Sequence, residues 1–185
     1  KRHIESEAEI SIGVQPVTPA EAPELGILKT DETGRIVDFV EKPQGETLEA
    51  MAVDTAALGL PEEQAANKPY LGSMGIYLFN WQSLQDILLG HEDHTDFGKE
   101  IIPDAIGKRA VQAYLFGGYW ADIGTIKAFF DANLDFTNAL PEFNLFDPDN
   151  PIYTNTRFLA PAKIRGGIVE SCIVSEGSII DSGII

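Results

Sequence analysis

The segment of residues 26–43 constrains the fold of this chain more than any other. Apolar residues flank a turn at residues 31–34 that is rich in residues tolerating turn geometry. These apolar residues are Ile27, Ile36, Phe39 and Val40. The pattern predicts a β-hairpin that ends on the charged pair Glu41-Lys42 and is followed by the rigid residue Pro43.

A strand end that reads Glu-Lys-Pro combines a carboxylate with an ammonium on a restrained backbone. Glu41 can accept hydrogen bonds from sugar hydroxyls, and Lys42 can bind a phosphate, so the pair suits a phosphorylated sugar. For this segment taken alone, a surface hairpin whose two charged residues only solvate its end stays open as an alternative.

Strand-like and helix-like segments alternate along the first 140 residues. The strand-like runs are residues 10–14, 25–29, 35–40, 72–79 and 110–116. The helix-like segments are residues 47–58, 81–89 and 125–138, the last with Thr125 as N-cap. The alternation predicts an α/β domain, and the hairpin makes its sheet mixed rather than purely parallel.

The pattern changes near residue 140, where a stretch that contains several prolines shows little periodicity in its apolar residues. We predict a first domain at residues 1–140, a linker at 141–162 and a second module at 163–185. Aliphatic residues then recur every six positions, at Ile168, Val174 and Ile180 and at Ile173, Ile179 and Ile185. This period favours the first coils of a parallel β-helix, with an ordinary β-meander as the alternative.

Composition excludes several classes of function. A chain of 185 residues that is 44% hydrophobic can bury one substantial core. Its net charge of −16 argues against binding to nucleic acid or to an anionic membrane surface. It contains no apolar run of about eighteen residues that could span a membrane. The single cysteine, Cys172, excludes an internal disulfide framework and favours a reducing compartment.

Five motifs occur in a fixed order: Gly26, Glu41-Lys42-Pro43, GSMGIY at 72–77, DFGKEIIP at 96–103 and GYWADIGT at 118–125. In this order they resemble the second half of the catalytic domain of the glucose-1-phosphate adenylyltransferase family. The insert at residues 50–60 and the run NPIYT at 150–154 are similar to the type found in photosynthetic organisms. The resemblance implies a Rossmann-like, mixed-sheet nucleotidyltransferase half-domain followed by a left-handed parallel β-helix. It also implies that ATP and glucose 1-phosphate react with Mg²⁺ to give ADP-glucose, in a homo- or heterotetramer of the cytoplasm or plastid stroma.

The resemblance also implies roles for individual residues. Lys42 would hold the phosphate of glucose 1-phosphate and Glu41 would bind glucose hydroxyls. Gly26 would let the backbone approach the sugar, and Ser73 would add a hydroxyl contact. Asp96 would orient the glucose site or support Lys42, or it could equally cap the helix that follows it.

Asp122 is the second residue, after Lys42, to which we assign a catalytic role. By resemblance it is one of two magnesium-binding aspartates, the other lying in a first half of the domain that this sequence does not contain. The alternative is a helix-start aspartate that interacts with the helix dipole.

One departure from the family limits these expectations. The phosphate-cradling loop GG-x-G-x-R-L does not occur in this sequence, so we expect the chain alone to be inactive. Two other interpretations stay open: a nucleotidyltransferase for another sugar 1-phosphate, such as that of mannose or acetylglucosamine, and a non-catalytic regulatory subunit of the same fold.

Overall fold

The computed structural model describes residues 1–90, 93–155, 157–181 and 183. The chain forms two compact units, Lys1–Gly118 and Tyr119–Ile185, which are described separately below. The domains expected at residues 1–140, 141–162 and 163–185 stay predictions.

The first unit is built on a mixed sheet. Its strands are β1 (Ile10–Val17), β2 (Gly26–Thr30), β3 (Ile36–Glu41), β4 (Tyr70–Phe79) and β5 (Val111–Leu115). In the described residues the strand order is β3-β2-β4-β1-β5, and only the β1–β5 pair is parallel. The predicted mixed α/β class is therefore confirmed.

Short helices cover the sheet of the first unit. They are α1 (Arg2–Glu5), α2 (Gly45–Ala50), α3 (Glu62–Asn67), α4 (Trp81–Gly90) and α5 (Ile102–Ala105), with a 3₁₀ turn at Ala22–Glu24 and a π-helical turn at Phe97–Ile101. The central strand residues Ile10, Ile12 and Leu71 are fully buried and pack with Ile101 and Ile102. A second apolar cluster, which includes Ile27 and Leu48, lies between the hairpin and α2.

The predicted hairpin is present, with β2 and β3 paired antiparallel. Its turn is held by Asp31, whose Oδ1 accepts hydrogen bonds from the Thr33 hydroxyl at 2.6 Å and from the Arg35 amide at 3.0 Å. The bond from the Thr33 hydroxyl is the main reason that the pKa of Asp31 lies below its ordinary value. Gly34 adopts φ +80°, a conformation that glycine reaches without steric cost.

The helix expected over residues 47–58 is shorter than predicted. Only α2, Gly45–Ala50, is helical, and a series of turns follows it. The Asp54 carboxylate accepts hydrogen bonds from the backbone amides of Ala56 and Ala57. Thr55 is buried and donates its hydroxyl to the Lys68 carbonyl at 3.0 Å. These side-chain bonds to the backbone compete with continuation of the helix.

The second unit contains α6 (Ile126–Asp135) and two short parallel strands, β6 (Lys163–Arg165) and β7 (Ile179–Asp181). The predicted N-cap is confirmed, because the Thr125 hydroxyl accepts a hydrogen bond from the Ala128 amide at 3.1 Å. An ion pair between the Arg165 guanidinium and the Asp181 carboxylate, at 2.5 Å, joins these two paired strands. The β-helix itself stays a prediction, and one of its expected repeat positions, Ile185, lies outside the described residues.

Glu9 joins three elements of the first unit at the start of β1. Its carboxylate accepts hydrogen bonds from Ser83 of α4 at 2.9 Å, from Arg109 at 2.8 Å and from the Ala110 amide at 3.0 Å. The bond from the Ala110 amide is the largest cause holding the pKa of Glu9 below its ordinary value of 4.5. The ionised form of Glu9 is thus preferred in the folded chain.

We predict that Glu9→Gln destabilises the chain by about 1 kcal/mol at neutral pH, because an amide cannot accept all three bonds. Since folding lowers the pKa, the contribution of Glu9 is present above pH 4.5 and is lost as pH falls below that value. Urea unfolding between pH 3 and pH 8 measures both effects.

The matched control is Glu32→Gln, which changes an exposed carboxylate in the hairpin turn. We expect the stability difference between the Glu9→Gln variant and the unchanged chain to shrink in acid, and that of the control to stay near zero. A Glu9→Gln difference that is independent of pH would contradict the role of the ionised carboxylate.

Candidate functional site

The residues predicted to bind a sugar phosphate lie close together in the first unit. They gather where β2 begins and β3 ends, across the three neighbouring strands β3, β2 and β4. Gly26 at the start of β2 lies opposite Glu41 at the end of β3. On the other side of β2, Ile27 pairs with Gly72, which brings Ser73 of β4 to the level of Gly26. Strand pairing alone therefore gathers three of the predicted residues.

Gly26 is packed directly beneath the Glu41 side chain. A Cβ at Gly26 would lie 2.5 Å from Cζ of Phe39 and 2.9 Å from Oε2 of Glu41. Any side chain at position 26 would displace one of these groups, because such distances are well inside van der Waals contact. Glycine at position 26 thus permits the observed position of the Glu41 carboxylate.

Asp96 lies beside Glu41, on the turn that precedes α5. A Cβ on Gly98 would lie 3.2 Å from Oε2 of Glu41 and 3.5 Å from Oδ1 of Asp96, so both carboxylates flank this glycine. Asp96 also caps the π-helical turn, accepting hydrogen bonds from the Gly98 amide at 2.8 Å and the Lys99 amide at 2.9 Å. The capping alternative is therefore observed, and it places the carboxylate next to Glu41.

An irregularity in β4 brings Ser73 close to Tyr77. Ile12 of β1 pairs with Tyr77 and Val14 pairs with Ser73, so three residues of β4 lie opposite one residue of β1. Gly75 within this bulge has φ +69°. Bulges redirect side chains and are frequent next to functional sites. Here the bulge lets two side chains of one strand reach each other.

Tyr77 is a member of the site that our sequence reasoning missed. Burial raises the pKa of its hydroxyl, the hydrogen-bonded Ser73 hydroxyl lowers it, and the carboxylates of Glu41 and Asp96 raise it further. Tyr77 therefore lies within electrostatic reach of all three predicted polar residues. The sequence gives only one indication of this, the glycine two positions before the tyrosine.

Aromatic contacts hold the Asp96 turn against β4. The ring of Phe97 stacks on Tyr77 at a centroid distance of 5.9 Å and an angle of 17°, and it meets Phe79 edge-on at 5.9 Å. Such pairs add about 0.5–1.5 kcal/mol each beyond the apolar area that they bury. They fix Asp96, the residue before Phe97, relative to Tyr77.

Lys42 follows Glu41 directly and is exposed. Its amide donates to the Leu25 carbonyl at 3.0 Å, so the backbone of the hairpin extends through this residue. Within the described residues no hydrogen bond or ion pair engages its ammonium. An unpaired cation thus adjoins a group of hydrogen-bond acceptors.

The first unit therefore presents two carboxylates, two hydroxyls and a free ammonium at one edge of its sheet. Carboxylates and hydroxyls can accept and donate the hydrogen bonds that a polyhydroxylated ligand needs, and an ammonium suits a phosphoryl oxygen. The structure brings together Gly26, Glu41, Lys42, Ser73 and Asp96, which the sequence named as candidate ligands, and their roles stay predictions.

Asp122 belongs to the second unit and is considered by itself. It is exposed, and within the described residues its carboxylate has no hydrogen bond or ion pair. It precedes the Thr125 cap by three residues, and the first turn of α6 holds no acidic residue. The metal-binding role of Asp122 and the helix-start alternative therefore both stay predictions.

Magnesium is the cofactor that the resemblance implies. Across the described ranges, no group of three or more His, Cys, Asp or Glu side chains is placed to hold a metal ion. Mg²⁺ commonly keeps several waters and binds one or two carboxylates together with substrate phosphates. The exposed carboxylate of Asp122 fits that mode of binding. The described residues do not provide a complete set of protein ligands for the ion.

The nucleotidyl transferase family matches residues 1–139, which is most of the 185-residue chain. The chain belongs to the nucleotidyl transferase family, whose members transfer a nucleotidyl group from a nucleoside triphosphate to a sugar phosphate. None of the helices in the described ranges has the length and hydropathy needed to cross a bilayer.

We predict that Gly26→Ala destabilises the chain by about 1–3 kcal/mol, because the new methyl group overlaps Phe39 and the Glu41 carboxylate. Urea unfolding measures the loss. The control is Gly90→Ala at the end of α4, where a Cβ would meet nothing within 4 Å.

At Gly90 the substitution should leave stability unchanged or raise it by up to about 1 kcal/mol, since alanine favours a helix. Equal effects of the two substitutions would show that Gly26 is not closely packed.

Proposed function

We propose that this chain is the sugar-phosphate-binding part of a glucose-1-phosphate adenylyltransferase, which makes ADP-glucose and pyrophosphate from ATP and glucose 1-phosphate for glycogen or starch synthesis. The observation that carries the proposal is the convergence of Glu41, Asp96, Ser73 and Tyr77 beside the unpaired Lys42. The five ordered motifs of the sequence support glucose and adenine among the sugars and bases that the family uses.

In this proposal the first unit holds the attacking substrate. Glu41 and Asp96 accept hydrogen bonds from glucose hydroxyls, and Ser73 adds a further contact. Lys42 binds the phosphate, so that one of its oxygens can attack the α-phosphorus of ATP. The new P–O bond forms as the bond to the β-phosphate oxygen breaks, and pyrophosphate leaves with that electron pair.

Asp122 completes the set of residues in this proposal. It would hold Mg²⁺ with its free carboxylate, and the bound ion would neutralise charge on the reacting phosphates. The cytoplasmic or plastid location and the tetrameric assembly stay predictions that accompany this assignment.

We predict that the chain binds glucose 1-phosphate more tightly than mannose 1-phosphate, acetylglucosamine 1-phosphate or glucose. Lys42→Ala should weaken binding of glucose 1-phosphate by roughly tenfold or more and leave the affinity for glucose unchanged, because only the charge-assisted bond to phosphate is lost. Titration followed by amide chemical shifts gives each Kd.

The control is Lys68→Ala, which removes an exposed ammonium elsewhere in the first unit. Tighter binding of another sugar phosphate would replace glucose in the proposal and keep the family. Equal weakening by the Lys42→Ala and Lys68→Ala variants would contradict a specific phosphate contact.

Nucleotide specificity requires a separate assay, because the sequence lacks the phosphate-cradling loop. Pyrophosphate release would be measured with ATP or GTP and Mg²⁺ in reactions that also hold a polypeptide carrying that loop. We expect activity with ATP that is abolished by Asp122→Asn and kept by Asp149→Asn. Activity with both Asp122→Asn and the unchanged chain would exclude Asp122 as a metal ligand.

A further inference from the structure

The backbone at Lys42 adopts an unfavourable conformation. Its φ is +49°, in the left-handed region that residues with a side chain seldom occupy. Lys42 also precedes Pro43, and the residue before a proline normally adopts an extended conformation. Backbone strain of this kind persists only where the surrounding structure imposes it, and it is concentrated at functional sites.

Contacts on both sides impose this conformation. Before it, Glu41 is paired with Gly26, and the Lys42 amide continues the ladder by donating to the Leu25 carbonyl at 3.0 Å. After it, Pro43 is buried, and Gln44 is the N-cap residue of α2. The Gln44 side-chain amide donates to the Pro23 carbonyl at 3.3 Å. The strained residue is thus anchored between a strand and a helix.

The chain contains a second Lys-Pro step that is free of this strain. Lys68 precedes Pro69 and has φ −129° and ψ 67°, outside the left-handed region. The dipeptide itself therefore does not require a left-handed lysine. The conformation at Lys42 comes from its place at the end of β3.

We infer that the left-handed backbone at Lys42, held by the buried Pro43, keeps the Lys42 ammonium apart from the neighbouring carboxylates and available to a phosphate. Side chains alternate between the faces of a regular strand, and a left-handed residue breaks that alternation at the strand end. Within the part of the chain that the structure describes, the ammonium is unpaired although Glu41 adjoins it in sequence and Asp96 lies beside Glu41. Pro43 is thus a positioning residue that acts through Lys42. The identity of the phosphate ligand rests on the proposed function.

The strain itself is tested without any ligand. Lys42→Gly and Lys42→Ala both remove the ammonium, but only glycine tolerates a positive φ at no steric cost. We expect the glycine variant to unfold with an equilibrium constant roughly fivefold smaller than that of the alanine variant. At Lys68 the order should be reversed, since glycine is less stable than alanine at an unstrained site. If the glycine and alanine variants had the same order of stability at both positions, the backbone at Lys42 would not be strained.

The positioning role is tested by a double-mutant cycle on the affinity for glucose 1-phosphate. Pro43→Ala should weaken binding roughly threefold or more in the unchanged chain and have almost no effect in the Lys42→Ala background. The Pro43→Ala variant should bind glucose, which lacks the phosphate, with the same affinity as the unchanged chain. The control Pro69→Ala should leave both affinities unchanged. An equal loss in the two backgrounds, or a loss for glucose as well, would show that Pro43 supports the fold and does not position Lys42.

The two proposals fail in different ways. If the unchanged chain does not bind glucose 1-phosphate, the proposed function and the availability of Lys42 to phosphate are both overturned. The order of the glycine and alanine variants at position 42 would still decide whether the backbone is strained.

Discussion

The contact between Gly26 and the Glu41 side chain is the constraint on which the site depends. The two residues are opposite each other in the β2–β3 ladder, and the missing side chain at Gly26 provides the space that the Glu41 carboxylate occupies. From that position the carboxylate lies beside Gly98 and contributes to the raised pKa of the Tyr77 hydroxyl. Packing of the hairpin therefore determines the electrostatics of the site.

The strand β4 links this hairpin to the rest of the sheet. It pairs with β2 on one side and with β1 on the other, so its position is set by two neighbours. The β2 ladder covers only Leu71 and Gly72, so the bulge between Ser73 and Tyr77 lies just beyond it, where β4 is paired with β1 alone. Because the ring of Phe97 stacks on Tyr77, the position of Tyr77 also restrains the turn that contains Asp96.

Much of this fold could be predicted from the sequence, because local signals decide it. Alternating apolar residues and a Gly-containing turn placed the hairpin, and a threonine before an apolar helix placed the cap of α6. The helix predicted over residues 47–58 was too long, since hydrogen bonds of Thr55 to a distant carbonyl are invisible to periodicity. The polar residues of the site could be named, but their proximity could not. The meeting of Asp96 with Glu41 depends on aromatic stacking and a β-bulge, which arise from tertiary contacts.

The distribution of charge at the site has a consequence for the orientation of its ligand. The chain carries a net charge of −16, and two carboxylates lie at the centre of the candidate site. A phosphate placed beside Glu41 and Asp96 would be repelled, whereas sugar hydroxyls there would gain charge-assisted hydrogen bonds. Lys42, whose ammonium has no partner among the described residues, lies beyond the end of the strand. For the proposed sugar phosphate, attraction at Lys42 and repulsion at the carboxylates favour the same orientation, with the sugar ring at Glu41 and Asp96 and the phosphate toward the Lys42 turn.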